Sequence, residues 1–429
     1  MLGVEPLRDK QGHVVDLRLI PSGELGRPRI NVAVQVSGQL RDIAASRLML
    51  LTEAIKMASE APEEGFPNFV ASGTRLQEKL LLDEGLSPRR ARKLSLMRIF
   101  GPLNSGYGSG MLDFVENSWS WDNESQIAEG YLNNMGAAYG DEEEWAGFEK
   151  GLFAAALSET DAIVQPRQSN TWGPVSLDHV YEFTGGLSNA VRYITGKEPE
   201  AYMADYRNRN NRRMQNAREA VAIETRATLL NPVFISERMK GGEGSAQMFG
   251  EMFRNIFGWN ATRPSVLDEH LFDDLYKTYI LDENGLGIRE YFNRTNPAAF
   301  QAMTAVMLES ARKGYWKAAP EQIGKVAELH AATTAGFGPA CTEFVCGNAK
   351  LERFISEHLE GAGRNLYDKA MNSMRNASGS DAREVVLKEK GGRIQESRNG
   401  FMTYAGIVGA ALTALLAILL LILRRKKEE

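Results

Sequence analysis

Two runs within residues 13–36, HVVDLRLIP and INVAVQV, are rich in β-branched and apolar residues and are split by the turn-forming PSGELGRP. They read as two strands. The apolar spacing then lengthens: Leu40, Ile43, Leu48, Leu51 and Ile55 share one face, predicting a helix from about Gln39 to Glu60. A strand pair followed by a helix is part of an α/β layer. With no partner strand ahead of it, this unit is expected to be cut from a larger sheet. From Leu76 onward the spacing is mostly helical, interrupted by breakers at Gly85–Pro88, Gly101–Gly110, Gln165–Pro174, Gly196–Pro199, Asn231–Pro232, Gly241–Gly244, Asn296–Pro297 and Gly336–Pro339.

At the far end the pattern loses its polar positions. Tyr404–Leu423 has neither charge nor proline over 20 residues, long enough as a helix to cross a bilayer core, and Arg424, Arg425, Lys426 and Lys427 follow it. The expected fold is therefore mixed α/β at the N-terminus with a truncated sheet (1–75), then a predominantly α-helical domain (76–360). A polar linker (361–403), one C-terminal transmembrane helix (404–423) and a basic tail (424–429) complete it. The abutting cations favour a single-pass membrane protein with its body outside the cytoplasm, on the periplasmic face. Lys388, Lys390, Arg393 and Arg398 on the other side of the span balance a plain count.

Composition changes this picture little. A net charge of −5 over 429 residues leaves no basic stripe, which argues against nucleic acid as a partner. Two cysteines and five histidines exclude zinc-finger and disulfide-scaffold classes. Cys341 and Cys346 are expected as core thiols, with a local disulfide as the alternative in an oxidising compartment. His13, His270, His330 and His358 are expected at the surface.

Candidate chemistry begins with GPLNSGYGSG (Gly101–Gly110), four glycines in ten residues. It lacks the Lys-Ser/Thr that a phosphate-binding loop needs, and no dinucleotide fingerprint surrounds it. Such small residues instead let a backbone approach a flat ligand or another chain, or form a tight turn. A second signal is a carboxylate in an apolar setting. On the helix expected to end at Asn231, the residue before a proline, the positions Ala217, Ala220, Val221, Ile223, Ala227, Thr228 and Leu230 form one apolar arc with Glu224 near its middle. No cation stands three or four positions away, so Glu224 either carries a shifted pKa suited to proton transfer or pairs with an arginine such as Arg213 or Arg41. Asp178–His179 is a third candidate, as metal ligand and acid–base group or as a helix cap.

RIFGPLNSGYGSGMLDFVENSWSWDNESQIAEGYL resembles the large subunit of the class I metal chelatases, the CobN and magnesium-chelatase family. ELGRPRINVAVQVSGQLRD, SLDHVYEFTGGLSNAV, AIETRATLLNP, FGWNAT and TAVMLESARKGYW add to it, in the order of that family's C-terminal third. The resemblance implies binding of a tetrapyrrole (corrin or haem) as substrate and exchange of its divalent metal, cobalt or iron. ATP would enter only through AAA+ partner subunits. It implies catalytic roles for Glu224, Asp178 and His179, with His179 also a metal contact. Arg41, Asp42, Asn104, Ser105, Tyr107 and Arg226 would hold the ring, with the glycine-rich stretch as a wall of the cleft.

Three departures accompany it. The family's HGxxExxPGK-type motif is absent, so the chain is expected to be a fragment or split product that needs a missing N-terminal part. Gly241 or Gly242 stands where metal-inserting members carry a histidine. The expected anchor is foreign to soluble chelatase subunits. The last two departures resemble the HmuS-type, membrane-anchored CobN-like branch, implying iron removal from haem and haem-uptake components as partners. A non-catalytic haem- or corrin-binding membrane scaffold is the alternative from a different class.

Overall fold

The computed structural model of the chain describes residues 1–377, apart from 105, 142–144, 168, 170–172, 209, 343 and 346. Three small sheets are set among helices. β1 (Val4–Arg8) and β2 (Val14–Leu19) form an antiparallel hairpin closed by Asp9, whose carboxylate accepts from the amides of Gln11 and His13. β3 (Val34–Gln35), β4 (Ile99–Gly101), β5 (Ala137–Tyr139) and β6 (Trp145–Phe148) lie in that order, β3 parallel to β4 and the rest antiparallel. β7 (Ala162–Arg167), β8 (Glu200–Asp205) and β9 (Arg213–Asn216) form the third sheet, β7 parallel to β8 and β9 antiparallel. Helix 186–195 makes the crossover that a parallel β7–β8 pair requires.

The expected N-terminal strand pair is corrected. The second run supplies only Val34–Gln35, and it joins a different sheet from the first. The helix expected over 39–60 is broken at Ala44 into Gly38–Ile43 and Ala45–Glu60, which leaves Leu40 and Ile43 exposed while Leu48 and Ile55 are buried. The expected boundary at residue 75 falls inside the helix Phe69–Asp83. Strands β4 to β9 all lie in the stretch read as helical. The short ones, three to six residues, are too brief to show a period of two.

The main core is helical. Pro297–Arg312 starts with Asn296 capping the amide of Ala299 and Pro297 in the first turn, and it is buried along nearly its whole length. It packs on Glu243–Thr262, whose Phe249, Phe253, Phe257 and Trp259 are fully buried. Helix Gly361–Ala377 lies within the stretch read as linker and buries Tyr367 and Met371. His330, expected at the surface, is fully buried on helix Pro320–Phe337. Cys341 is exposed, on a loop, and disulfide-bonded, so it is not a core thiol; Cys346 lies outside the described residues.

The expected single-pass membrane anchor is also corrected, and with it goes the argument that placed the body outside the cytoplasm. Among the described residues no helix is long and apolar enough to cross a membrane. The Tyr404–Leu423 segment that suggested one lies outside them.

Candidate functional site

The segment that leaves β7 returns as a helical rod. Asp178–Val180 is one short α turn, Tyr181–Gly185 widens into a π-helical turn, and Gly186–Thr195 continues as α-helix. Single π turns of this kind recur at functional sites because they redirect side chains that an α-helix would place elsewhere. Here the wide turn packs the Tyr181 ring on Gly258 and turns Glu182 into the protein, where it is fully buried.

A buried carboxylate must find donors. Oε1 of Glu182 accepts from the Ser109 amide at 2.5 Å and the Ser109 hydroxyl at 2.9 Å, and Oε2 lies 2.5 Å from His179 Nδ1. That hydrogen bond to the carboxylate raises the His179 pKa above its ordinary 6.5 and outweighs partial burial, which lowers it. The imidazole stands at the mouth of the buried acid. Its Nε2 lies 3.8 Å from Asp178 Oδ1, and Tyr107 packs against it with ring centroids 4.5 Å apart. Phe183 completes an aromatic patch, 6.0 Å from Tyr107 and 6.2 Å from His179.

The glycine-rich stretch forms the cover of this pair. A Cβ on Gly108 would lie 2.7 Å from Glu182 Oε1, so a side chain there would displace the carboxylate. The start of the loop is pinned by Arg41, whose guanidinium donates to the carbonyls of Pro102 (3.3 Å) and Leu103 (2.7 Å) and to the Tyr139 hydroxyl (3.2 Å), while Asp42 accepts from its Nε at 2.6 Å. The Gly38 amide donates to the Gly106 carbonyl, and Asn104 accepts from the Gly106 amide. Arg41, Asp42, Asn104, Tyr107, Asp178 and His179 are thus gathered around one loop. Ser105 lies outside the described residues.

Glu224 is placed differently from expectation. Oε2 accepts from the Val175 amide at 3.0 Å, and Oε1 accepts from the Ser176 amide at 3.1 Å and the Ser176 hydroxyl at 2.6 Å. The carboxylate is part-buried and well supplied with donors, so the expectation of an unpartnered acid is corrected, and neither Arg213 nor Arg41 is the partner. The helix spans Ala217–Ala227, and the apolar arc turns out to be half solvent-facing, with Ile223 exposed. Glu224 clamps the turn that delivers His179. Asn255 and Trp259 assist by donating to the carbonyls of Val175 and Pro174. Arg226, two residues on and so on another face, is exposed and lies 3.7 Å from Asp268, away from the loop.

Sequence reasoning missed Glu182 and Ser109. The signal for Glu182 was present: an acid between Tyr181 and Phe183 in an apolar run, three residues after a histidine. Among the described residues no group of three or more His, Cys, Asp or Glu is arranged to hold a metal ion, so His179 brings no ready-made ligand set. A cavity of about 580 Å³ lined by Asn123, Glu124, Asn189, Arg192, Asn260 and Tyr315 is formed without His179 or Glu182.

Residues 1–323 match the family model described as CobN/Magnesium Chelatase. The chain belongs to this family. It is 30% identical to magnesium-chelatase subunit ChlH of Oryza sativa over 77% of its length, covering 23% of that protein. It is 28% identical to the aerobic cobaltochelatase subunit CobN of a Sinorhizobium species over 81% of its length, covering 26% of the relative. The solved catalytic subunit of cobaltochelatase from Mycobacterium tuberculosis superposes with a TM-score of 0.70 at 26% identity, over 77% of this chain and 27% of that one. The chain therefore spans about a quarter of the length of these relatives.

Proposed function

We propose that this chain forms part of a metal chelatase that binds a tetrapyrrole and exchanges its metal, with His179 and Glu182 handling the protons of the ring. The observation that carries the reading is the fully buried Glu182 carboxylate under Gly108 with the His179 imidazole at its mouth. Two pyrrole N–H protons leave when a metal enters the ring and return when it departs, so both directions need an acid–base group beside a flat ligand. The hydrogen bond to Glu182 raises the His179 pKa, so the carboxylate favours the protonated imidazole and stabilises its charge. Tyr107 and Phe183 offer aromatic surface for the ring to lie against.

In this reading Glu224 is a positioning residue acting through the 173–176 turn, and Arg41 positions the loop. The ring is a corrin or porphyrin and the metal, a substrate, is a divalent cation such as cobalt or iron. ATP-using partner subunits and the rest of the large subunit complete the enzyme. Membership of the CobN/Magnesium Chelatase family supports this class of chemistry.

The test assembles the chain with the remaining length of a large subunit and its partner subunits and follows metal exchange by the Soret band. His179→Gln and Glu182→Gln should each slow exchange by about tenfold or more. Ring affinity, read by fluorescence quenching, should change far less. Unchanged rates in both variants overturn the acid–base assignment. No spectral change with porphyrin, corrin or haem removes the ligand itself.

A further inference from the structure

Across the third sheet, Arg167 ends β7, pairs in register with Asp205 at the end of β8, and Asp205 pairs in turn with Arg213 at the start of β9. Residues in such a row share one face of a sheet. Asp205 is held from two sides. Arg207 grips it through two bonds, Nε to Oδ1 at 2.9 Å and Nη2 to Oδ2 at 2.8 Å, and Arg213 Nε lies 3.5 Å from Oδ2. Arg167 is left over. Among the described residues it has no side-chain hydrogen bond or ion pair, and its Nε is buried without a partner.

Its electrostatic surroundings are two cations, Arg207 and Arg213, and two acids, Asp205 and Glu224. Both acids are already engaged, Asp205 by the two arginines and Glu224 by Val175 and Ser176. A half-buried guanidinium in this setting lacks the paired acceptor that would offset its desolvation. The same edge abuts the candidate site. Gln165 of β7 accepts from the Thr184 hydroxyl, two residues after Glu182, and Glu224 grips the residues just before His179. Ligands of α/β layers gather at the carboxyl ends of parallel strands, where Arg167 and Asp205 stand.

We propose that Arg167, supported by Arg207 and Arg213, is a carboxylate-binding subsite that receives an acidic side chain at the periphery of the tetrapyrrole. This rests on the reading of the His179–Glu182 face as the place of the ring. Arg207 and Arg213 hold Asp205 in place, so the planar fork of Arg167 stays available for two-point recognition of an incoming carboxylate.

The test titrates the whole chain with two porphyrins of the same ring. One carries two propionate groups, and the other has both converted to neutral hydroxyethyl amides; binding is read by fluorescence quenching. The wild type should prefer the dicarboxylate, and Arg167→Gln should weaken that ring by roughly tenfold or more while leaving the neutral ring nearly unaffected. Arg167→Lys should restore part of the preference. Equal loss for both rings, or no loss, overturns the subsite. If Arg167→Gln does not fold, Arg213→Gln, with its half-exposed side chain, gives the same readout through a weakened dicarboxylate preference. Wild-type binding to both rings alike defeats only the subsite, whereas binding to neither defeats the tetrapyrrole reading and the subsite with it.

Discussion

Two carboxylates, Glu182 and Glu224, show how much a residue's role depends on which donors reach it. One oxygen of Glu182 meets a titratable imidazole, so the carboxylate biases the charge of His179. In an NMR titration the His179 pKa should lie above 6.5 and fall back towards it in Glu182→Gln, since the hydrogen bond donated to that carboxylate is the largest cause of the shift. The same pair stabilises the fold fully below about 6.5, and the contribution disappears as pH rises through the raised value. A Glu182→Gln chain should therefore show a flatter stability profile over that window. Glu224 faces backbone N–H groups on both oxygens, so Glu224→Gln would aim an amide N–H at the Val175 or Ser176 amide. Loss of about 1–3 kcal/mol in a urea melt is expected from such an unpaired donor. Glu224 was visible in the sequence as an acid on an apolar arc, yet its partners come from residues 48 and 49 positions away and could not be read locally.

Among the elements, the π-helical turn at Tyr181–Gly185 depends on close approach to the helix Glu243–Thr262. A Cβ on Gly258 would stand 2.3 Å from the Tyr181 ring, which is fully buried and has nowhere to move. Gly258→Ala should destabilise the chain by about 1–3 kcal/mol through overpacking, and it should also perturb the His179 resonance because His179 lies two residues before Tyr181 on the same helical rod. Thermal melts and the NMR spectrum check the two effects separately; a melt unchanged from wild type would remove the packing argument. Helices with long periodic faces and capping residues were legible, as Pro297–Arg312 with Asn296 and Pro297 shows. The two-residue strand β3 was not, because pairing with a strand 65 positions away, not local period, decides it; nor was the break at Ala44, across which the apolar spacing continues.

For the whole molecule, His330 reports on the integrity of the helical core. Burial lowers its pKa to about 4, with Nδ1 2.9 Å from the Thr304 hydroxyl and Tyr367 packed edge-on. The folded state therefore holds His330 neutral. Stability from this group is present above about 6.5 and is lost as pH falls through 4, up to about 3 kcal/mol. Urea midpoints at neutral and acidic pH should show this loss in the wild type and a smaller one in His330→Gln. The sequence reading grouped His330 with the surface histidines; its neighbours in space, Thr304 and Tyr367, belong to two other helices. Sequence alone determined the family, since the ordered motifs survive without any coordinates, and it showed that GPLNSGYGSG lacks the lysine a phosphate-binding loop needs. Tertiary structure decided which acid is buried with a histidine, what the glycines cover and which guanidinium lacks a side-chain partner among the described residues. Each of those depends on contacts between segments far apart in the chain, and local spacing carries no record of them.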